Sequence, residues 1–215
     1  MTDDGRTRAE RIEVQRSRDL ILAAAERHFT RHDDAPTMAQ LARAAGVSSA
    51  TMYRRFPSVA DVISALYDEH LQAQQRVIDE MEASASGWDG VVALVVGIGQ
   101  LAVARPAILR VMRRKLELDP TLQHGVQWDA SFQDVVRRAK EEGALRTDVY
   151  ANDISIAAWS LGEFGTLPEG ARAQVVGRQL GIMIDGLRAG GGPTPLPGHS
   201  LGTEEIHRYL RARPA

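Results

Sequence analysis

The chain has 215 residues, a net charge of −2, 44 % hydrophobic residues and 25 % charged residues. That mixture excludes a mainly disordered chain, which needs few apolar residues and a large net charge. The absence of cysteine excludes a disulfide framework, a Cys-ligated zinc or iron–sulfur centre, and a thiol nucleophile.

The N-terminal stretch MTDDGRTRAERIEVQRSRD shows no apolar core of a secretory signal. The longest uncharged run, Gly90 to Ala104, has 15 residues, short of the roughly 20 that a spanning helix needs. A cytoplasmic protein without membrane contact is therefore expected. Residues 1–60 carry ten arginines against eight carboxylates, and residues 61–215 carry sixteen cations against twenty. Positive charge is thus shifted weakly toward the N-terminal quarter. Only Lys115 and Lys140 are lysines; the arginine bias suits bidentate phosphate or guanine contacts and equally a GC-rich coding sequence.

Apolar residues recur at spacings of three and four throughout, so the expected fold is all-α. Ile21, Ala24, Ala25, His28 and Phe29 share one helical face. Thr37-x-x-Gln40 is a capping box that opens a short helix carrying Leu41, Ala42 and Ala45. Gly46 stands where a helix end requires positive φ. Ser48 can cap a further short helix, which Phe56-Pro57 stops. Ser58-x-x-Asp61 starts a long helix with a stripe from Val59 to Met81.

Gly87 breaks that helix, and the residues from 88 to 104 are apolar almost all round, as in a buried central helix. A helix follows Pro106 and runs to about Leu118. Another is expected from about Thr121 to Glu142, then one near 151–165 and one near 171–189. Gly190-Gly191-Gly192-Pro193 ends regular structure, Pro193–Gly198 reads as an extended linker, and residues 203–210 suggest a short tail helix. The organisation expected is a three-helix N-terminal helix-turn-helix domain over residues 1–57, with 1–17 a flexible arm. A bundle of about six helices covers 58–192, and a linker with a tail covers 193–215.

The specific signal is TMAQLARAAGVSSATMYRRFP, residues 37–57. A helix, a glycine turn and a second short helix make a helix-turn-helix, whose second helix enters the major groove of DNA. Ser48, Ser49, Ala50 and Thr51 are small and let that helix approach closely. Thr51 and Tyr53 can donate to phosphate, while Arg54 and Arg55 offer electrostatic or guanine contacts. An ordinary helical hairpin would show part of this pattern. The amphipathic helix before it and the capped helix after Phe56-Pro57-Ser58 argue for the DNA-binding unit.

Residues 20–66 closely resemble the N-terminal domain of TetR/AcrR-type transcriptional regulators. The resemblance rests on Ile21-Leu22-Ala23-Ala24-Ala25 with Phe29, Thr37-Met38-x-x-Leu41-Ala42, Ala45-Gly46-Val47-Ser48 and Thr51-x-Tyr53-x-x-Phe56-Pro57-Ser58. It implies an all-helical homodimer reading a palindromic double-stranded operator, with a divergent C-terminal domain for a small effector and the dimer interface. It places the DNA contacts on Thr37, Ser48, Ser49, Ala50, Thr51, Tyr53, Arg54 and Arg55. Two features depart from it. Val59 stands where many relatives have a phosphate-contacting lysine, and the turn before Thr37 is acidic rather than glycine-containing. Five arginines in the first eighteen residues fit either an arm onto DNA or a solvated tail.

The C-terminal half is less legible. Candidate effector contacts are the polar and aromatic residues on otherwise apolar faces: His70, Gln74, Gln100, Met112, His124, Trp128, Phe132, Trp159, Glu163 and Phe164. Each has an alternative as ordinary core or surface. Few fixed charges share those faces, so a small hydrophobic or aromatic effector is expected. Dimer contacts are expected at Ala158, Val176, Leu180, Met183 and Leu187, some of which must also serve the protomer's own core. Arg110, Arg113, Arg114 and Lys115 read as a solvated basic face. No His-x-x-x-His spacing or carboxylate cluster accompanies His70 or His124, so no metal and no cofactor is expected. The reading is a ligand-responsive regulator, a repressor released by its effector, rather than an enzyme. The alternatives are a DNA-binding dimer with no effector and an all-helical enzyme using His70 or His124 with Glu163.

Overall fold

Helical periodicity and local capping produce nine α-helices among the described residues, which in this computed structural model are 3–190, 196–197 and 201–205. They are α1 (Asp3–Arg31), α2 (Met38–Ala45), α3 (Ser49–Arg55), α4 (Val59–Glu82), α5 (Gly87–Ala104), α6 (Ile108–Leu118), α7 (Asp129–Glu141), α8 (Ala151–Trp159) and α9 (Glu169–Leu187). The described residues hold no strand, only a single antiparallel bridge between Leu145 and Arg188. The all-α architecture is as the periodicity demands.

Three local expectations change. The segment expected as a flexible arm is helical from Asp3, so the first helix has 29 residues rather than being short. The helix expected from Thr121 to Glu142 begins only at Asp129. A turn through Gly125 at φ +81° and a 3₁₀ segment over Val126–Trp128 precede it. The helix expected near 151–165 is α-helical only to Trp159 and tightens to 3₁₀ over Ser160–Thr166. Of the expected linker, only Leu196 and Pro197 are described, and of the tail helix only Thr203–Glu205; the rest lies outside the described residues.

The chain divides into two compact units, and the division does not fall after Pro57. The first comprises Met1–His70 with Ala107–Pro120, and the second Leu71–Pro106 with Thr121–Ala215. Helix α4 therefore contributes its first half to one unit and its second half to the other. Helix α6, encoded between two helices of the second unit, belongs to the first.

In the first unit Ile21, Phe29, Leu41, Met52, Phe56, Leu66, Val111 and Leu116 are buried. Each such side chain stabilises by about 1.5–3 kcal/mol. The second unit is built around α5, whose Val91, Leu94, Val95 and Ile98 sit in one cluster with Val77, Ile78 and Met81 of α4. Trp128, Val135, Val136, Leu161, Val176 and Leu180 complete it. The α5 start is held tightly. A Cβ on Gly87 would lie 2.2 Å from Ala139 N, so only glycine lets α5 and α7 approach this closely. Glu142 then caps the same start, accepting from Gly87 N at 2.6 Å and Trp88 N at 3.0 Å.

Candidate nucleic-acid interface

Each end of the helix-turn-helix is fixed by a local device. Gln40 N donates to Thr37 Oγ1 at 3.2 Å, and Thr37 N donates to Gln40 Oε1 at 2.7 Å. This reciprocal box satisfies two orphan donors at the start of α2. Gly46, at φ +68°, ends α2 in the left-handed region and sets the turn. Ser48 Oγ then accepts from Thr51 N at 3.1 Å and donates to Thr51 Oγ1 at 3.0 Å. Since the Thr51 hydroxyl accepts that bond, its own proton is left to donate outward.

The outer face of α3 is polar and short. Ser48, Ser49, Ala50, Tyr53 and Arg54 are exposed, Thr51 is half-buried, and Tyr53 is 58 % exposed. Met52 and Phe56 turn inward and are buried, which anchors the helix and fixes which face looks out. From Thr37 to Pro57 there are three arginines and no carboxylate. A face carrying only positive formal charge, with hydroxyls and a methyl group at its leading end, is what phosphate and base-edge contact require.

Arg55 differs from Arg54. Its Nε donates to Ser17 Oγ at 2.8 Å, and the neighbouring Arg18 lies over the Phe56 ring at 5.0 Å. Arg55 therefore ties the end of α3 to α1, and sequence alone gave no sign of this. Thr37 is likewise occupied as a cap, though exposed. Val59, where the resemblance leads one to expect a lysine, is half-buried.

The basic run on α6 is not a free solvated face. Arg110 Nε and Arg113 Nη2 donate to Asp33 Oδ1 at 2.7 and 3.0 Å. Arg114 donates to the Asp33 carbonyl through Nε and Nη2 at 3.0 and 2.6 Å, and through Nη1 to Glu117 at 2.6 Å. Lys115 Nζ donates to Ser64 Oγ at 3.0 Å. The hydrogen bond from Arg110, with its charge and that of Arg113, holds the Asp33 carboxyl below the usual range. The acidic turn before Thr37 is thus fastened to α6. The signal was present as an unmatched acidic turn and an unmatched basic run, but nothing local pairs residues 77 apart.

The candidate effector residues divide between the units. His70 and Met112 belong to the first. His70 is buried, with Nε2 2.8 Å from Glu26 Oε2, so it joins α4 to α1. One helical turn before it, burial, with Asp68 and Asp119, pushes the Tyr67 phenol up to about 12. In the second unit Trp128 is a core residue whose indole Nε1 donates to Gln75 Oε1 at 2.7 Å, with the His124 ring edge-on at 6.1 Å. Phe132, Trp159 and Phe164 are partly buried against the same core. Gln74 is buried, and its Oε1 has no partner. Gln100 and Glu163 are exposed, so Gln100 is not the buried polar residue its apolar surroundings suggest.

The residues expected at the dimer interface pack within the protomer. Ala158, Val176 and Leu180 are buried in the protomer's own core, with Met183 and Leu187 packed against it. The outward apolar residues of these helices are Ile156 and Ile182, 51 % and 60 % exposed.

The family model described as bacterial regulatory proteins, tetR family, matches residues 21–66, the segment that holds α2, α3 and the caps just described. Over that segment, about a fifth of the chain, the protein is similar to the TetR family. No curated protein matches the chain. Among solved structures, the chain is similar to the TetR transcriptional regulator SCO0520 of Streptomyces coelicolor. The two share 25 % identity over 80 % of this chain and 98 % of that one, with a TM-score of 0.52. The fold is also that of the ketosteroid transcriptional regulator KstR2 of Mycobacterium tuberculosis, at 21 % identity, 80 % and 95 % coverage and a TM-score of 0.61. A gamma-butyrolactone receptor described as ArpA-like shares it at 19 % identity, 93 % and 96 % coverage and a TM-score of 0.59. The match over residues 21–66 and the likeness to a TetR transcriptional regulator support a DNA-binding role in transcription.

Proposed function

We propose that this chain is a homodimeric repressor that leaves a palindromic operator when a small, mostly apolar effector binds its second unit. The observation that carries the DNA-binding part is the outer face of α3. Ser49, Ala50, Thr51, Tyr53 and Arg54 are presented by a helix capped at Ser48 and anchored by Met52 and Phe56, within a segment free of carboxylates. In this reading the protein acts in the cytoplasm, on operator DNA, and is not an enzyme.

The effector part is supported by Gln74. A buried amide oxygen without a partner costs about 1–3 kcal/mol, and a ligand hydroxyl or amine would remove that cost. The half-buried Phe132, Trp159 and Phe164 supply apolar surroundings within the same unit. Two of the structural relatives are named for a ketosteroid and a gamma-butyrolactone, both small uncharged organic molecules. The dimer part is supported by Ile156 and Ile182, and by Gly177 and Gly181 of α9, where an added Cβ would meet nothing within 4 Å. Bare backbone beside an exposed isoleucine is a surface that a second α9 can approach. Half-sites lie roughly 34–36 Å apart on B-DNA, so a small change in the separation of two α3 helices is enough to lose one of them.

The test is operator titration of the wild type and of Arg54→Ala and Tyr53→Ala, with candidate lipophilic compounds added. Specific binding near 10⁻⁸–10⁻¹¹ M is expected at physiological salt. Linkage requires that an effector and DNA weaken each other equally, by roughly 5–150-fold. Retention of full affinity in both variants sinks the recognition-helix assignment. A tightly bound compound that leaves operator affinity unchanged favours an effector-free regulator. Ile182→Glu should give a folded monomer by light scattering, and a persistent dimer would move the interface elsewhere.

A further inference from the structure

Ser17 is a polar side chain buried in the middle of α1, only 3 % exposed, so its hydroxyl must find its partners within the protein. Its Oγ donates to the Val14 carbonyl at 2.9 Å. With the proton committed there, the oxygen's lone pairs are left to accept, and Arg55 Nε donates to them at 2.8 Å. The next residue of α1, Arg18, lies over the Phe56 ring at 5.0 Å. Phe56 is the residue that ends α3. Ser17 and Arg18 thus grip the last turn of α3 at two adjacent points, 38 residues away in sequence.

We infer that Ser17 is a positioning residue for DNA binding: it holds Arg55 so that the two terminal guanidinium nitrogens form a preset fork for one backbone phosphate. The inference rests on the DNA-binding reading above. A guanidinium carries its five N–H donors in one rigid plane. Fixing Nε at Ser17 fixes that plane and leaves the Nη1–Nη2 edge, which matches two oxygens of a phosphate. Ser17 is neutral, so the bond leaves the charge of Arg55 uncompensated, and among the described residues no carboxylate pairs with it. Arg110 and Arg113, by contrast, have their charge met by Asp33. The placement fits as well. Arg55 follows Thr51 by four residues, and Thr51 follows Ser48 by three, spacings that align side chains along one face of a helix. The stripe of α3 that begins with the Ser48 and Thr51 hydroxyls therefore ends in a held cation. An unbraced arginine must surrender rotamer freedom when it binds; one already held by a buried serine has surrendered part of it on folding.

The experiment uses the full-length protein and a dye-labelled DNA duplex of mixed sequence, so that the operator need not be known. Affinity is read by anisotropy between roughly 50 and 200 mM potassium chloride, and the slope of log K against log salt counts the phosphates neutralised. Ser17→Ala removes the acceptor and no charge. Its slope should be shallower than that of the wild type by about one unit for each chain bound. Ser17→Thr keeps the hydroxyl and should retain the wild-type slope. Adding Ser17→Ala to Arg55→Ala should change the slope no further, because the two residues act as one. Circular dichroism checks that each variant is folded at the assay temperature. A second measurement needs no variant: the Arg55 side-chain N–H resonances of ¹⁵N-labelled wild type should shift when the duplex is added. A purely structural serine would lower the melting temperature and leave the slope alone. A wild-type slope in folded Ser17→Ala, a further loss of slope on adding it to Arg55→Ala, or Arg55 resonances that ignore the duplex overturns the inference and spares the DNA-binding reading. A wild type without any salt-dependent binding to duplex overturns that reading itself.

Discussion

The two units are ordered by different means. The first is held by short polar devices near its surface: the box at Thr37, the left-handed Gly46, the cap at Ser48 and the arginines around Asp33. The second is held by interpenetration. Gly87 lets α5 touch the backbone of α7, and Glu142 reaches back 55 residues to cap α5. A unit of the first kind loses stability in small separable steps. One of the second kind fails where two backbones can no longer meet. The recognition surface can therefore vary without endangering the fold, and the α5–α7 crossing cannot.

The largest test of that contrast is Gly87→Val. Its Cβ would meet Ala139 N at 2.2 Å and the Arg138 carbonyl carbon at 2.6 Å, both backbone atoms. Overpacking against flexible side chains costs about 1–3 kcal/mol, and here no side chain can give way. A loss of about 3 kcal/mol or more is expected in urea unfolding; a loss under about 1 kcal/mol would mean that α5 and α7 part easily.

Within the first unit the adjacent arginines should separate binding from folding. Arg54→Ala should cost about 1–3 kcal/mol of operator affinity and leave unfolding unchanged. Arg55→Ala removes the donor to Ser17 and should cost about 1 kcal/mol of stability. Equal effects of the two on unfolding would erase the distinction.

Ser48→Ala removes the acceptor for Thr51 N and should cost about 1 kcal/mol. Titrating the variant with operator will show whether a slackened α3 start also lowers affinity.

The smallest effect is expected at Asp33, whose side chain is 69 % exposed and therefore well screened. Asp33→Asn should cost less than about 1 kcal/mol, and less again at high salt. The sign with pH follows from the lowered pKa, caused first by the hydrogen bond from Arg110. The stabilisation is present above the ordinary carboxylate value of about 4 and is lost as pH falls through the lower folded value. A wild-type and variant difference that grows on acidification would contradict the pairing.

What was legible in the sequence was mostly local. Thr37-x-x-Gln40, Gly46, Ser48 and Phe56-Pro57 each act within four residues, so the helix-turn-helix could be read directly. Gln100 misled because α5 is apolar nearly all round. It lies two residues past the buried Ile98, a rotation of about 200°, and so faces outward. Val176 and Leu180 lie in the protomer's core cluster, and a helical stripe does not say whether its own protomer or a partner covers it. Just ahead of α7, the Trp128 indole donates to Gln75 across 53 residues, and no window of sequence contains that bond.

The membership of α6 in the first unit has a consequence for building hybrid regulators. An N-terminal segment grafted onto a foreign effector domain after residue 57, or even after residue 70, would carry Asp33 without Arg110, Arg113 and Arg114. Its acidic turn would be left unfastened just ahead of the helices that read DNA. A ribosome faces the same constraint, because the DNA-reading unit cannot close until residue 120 has been made. A working graft must therefore import residues 107–120 along with the head, or reinstate three arginines at the matching positions of the recipient.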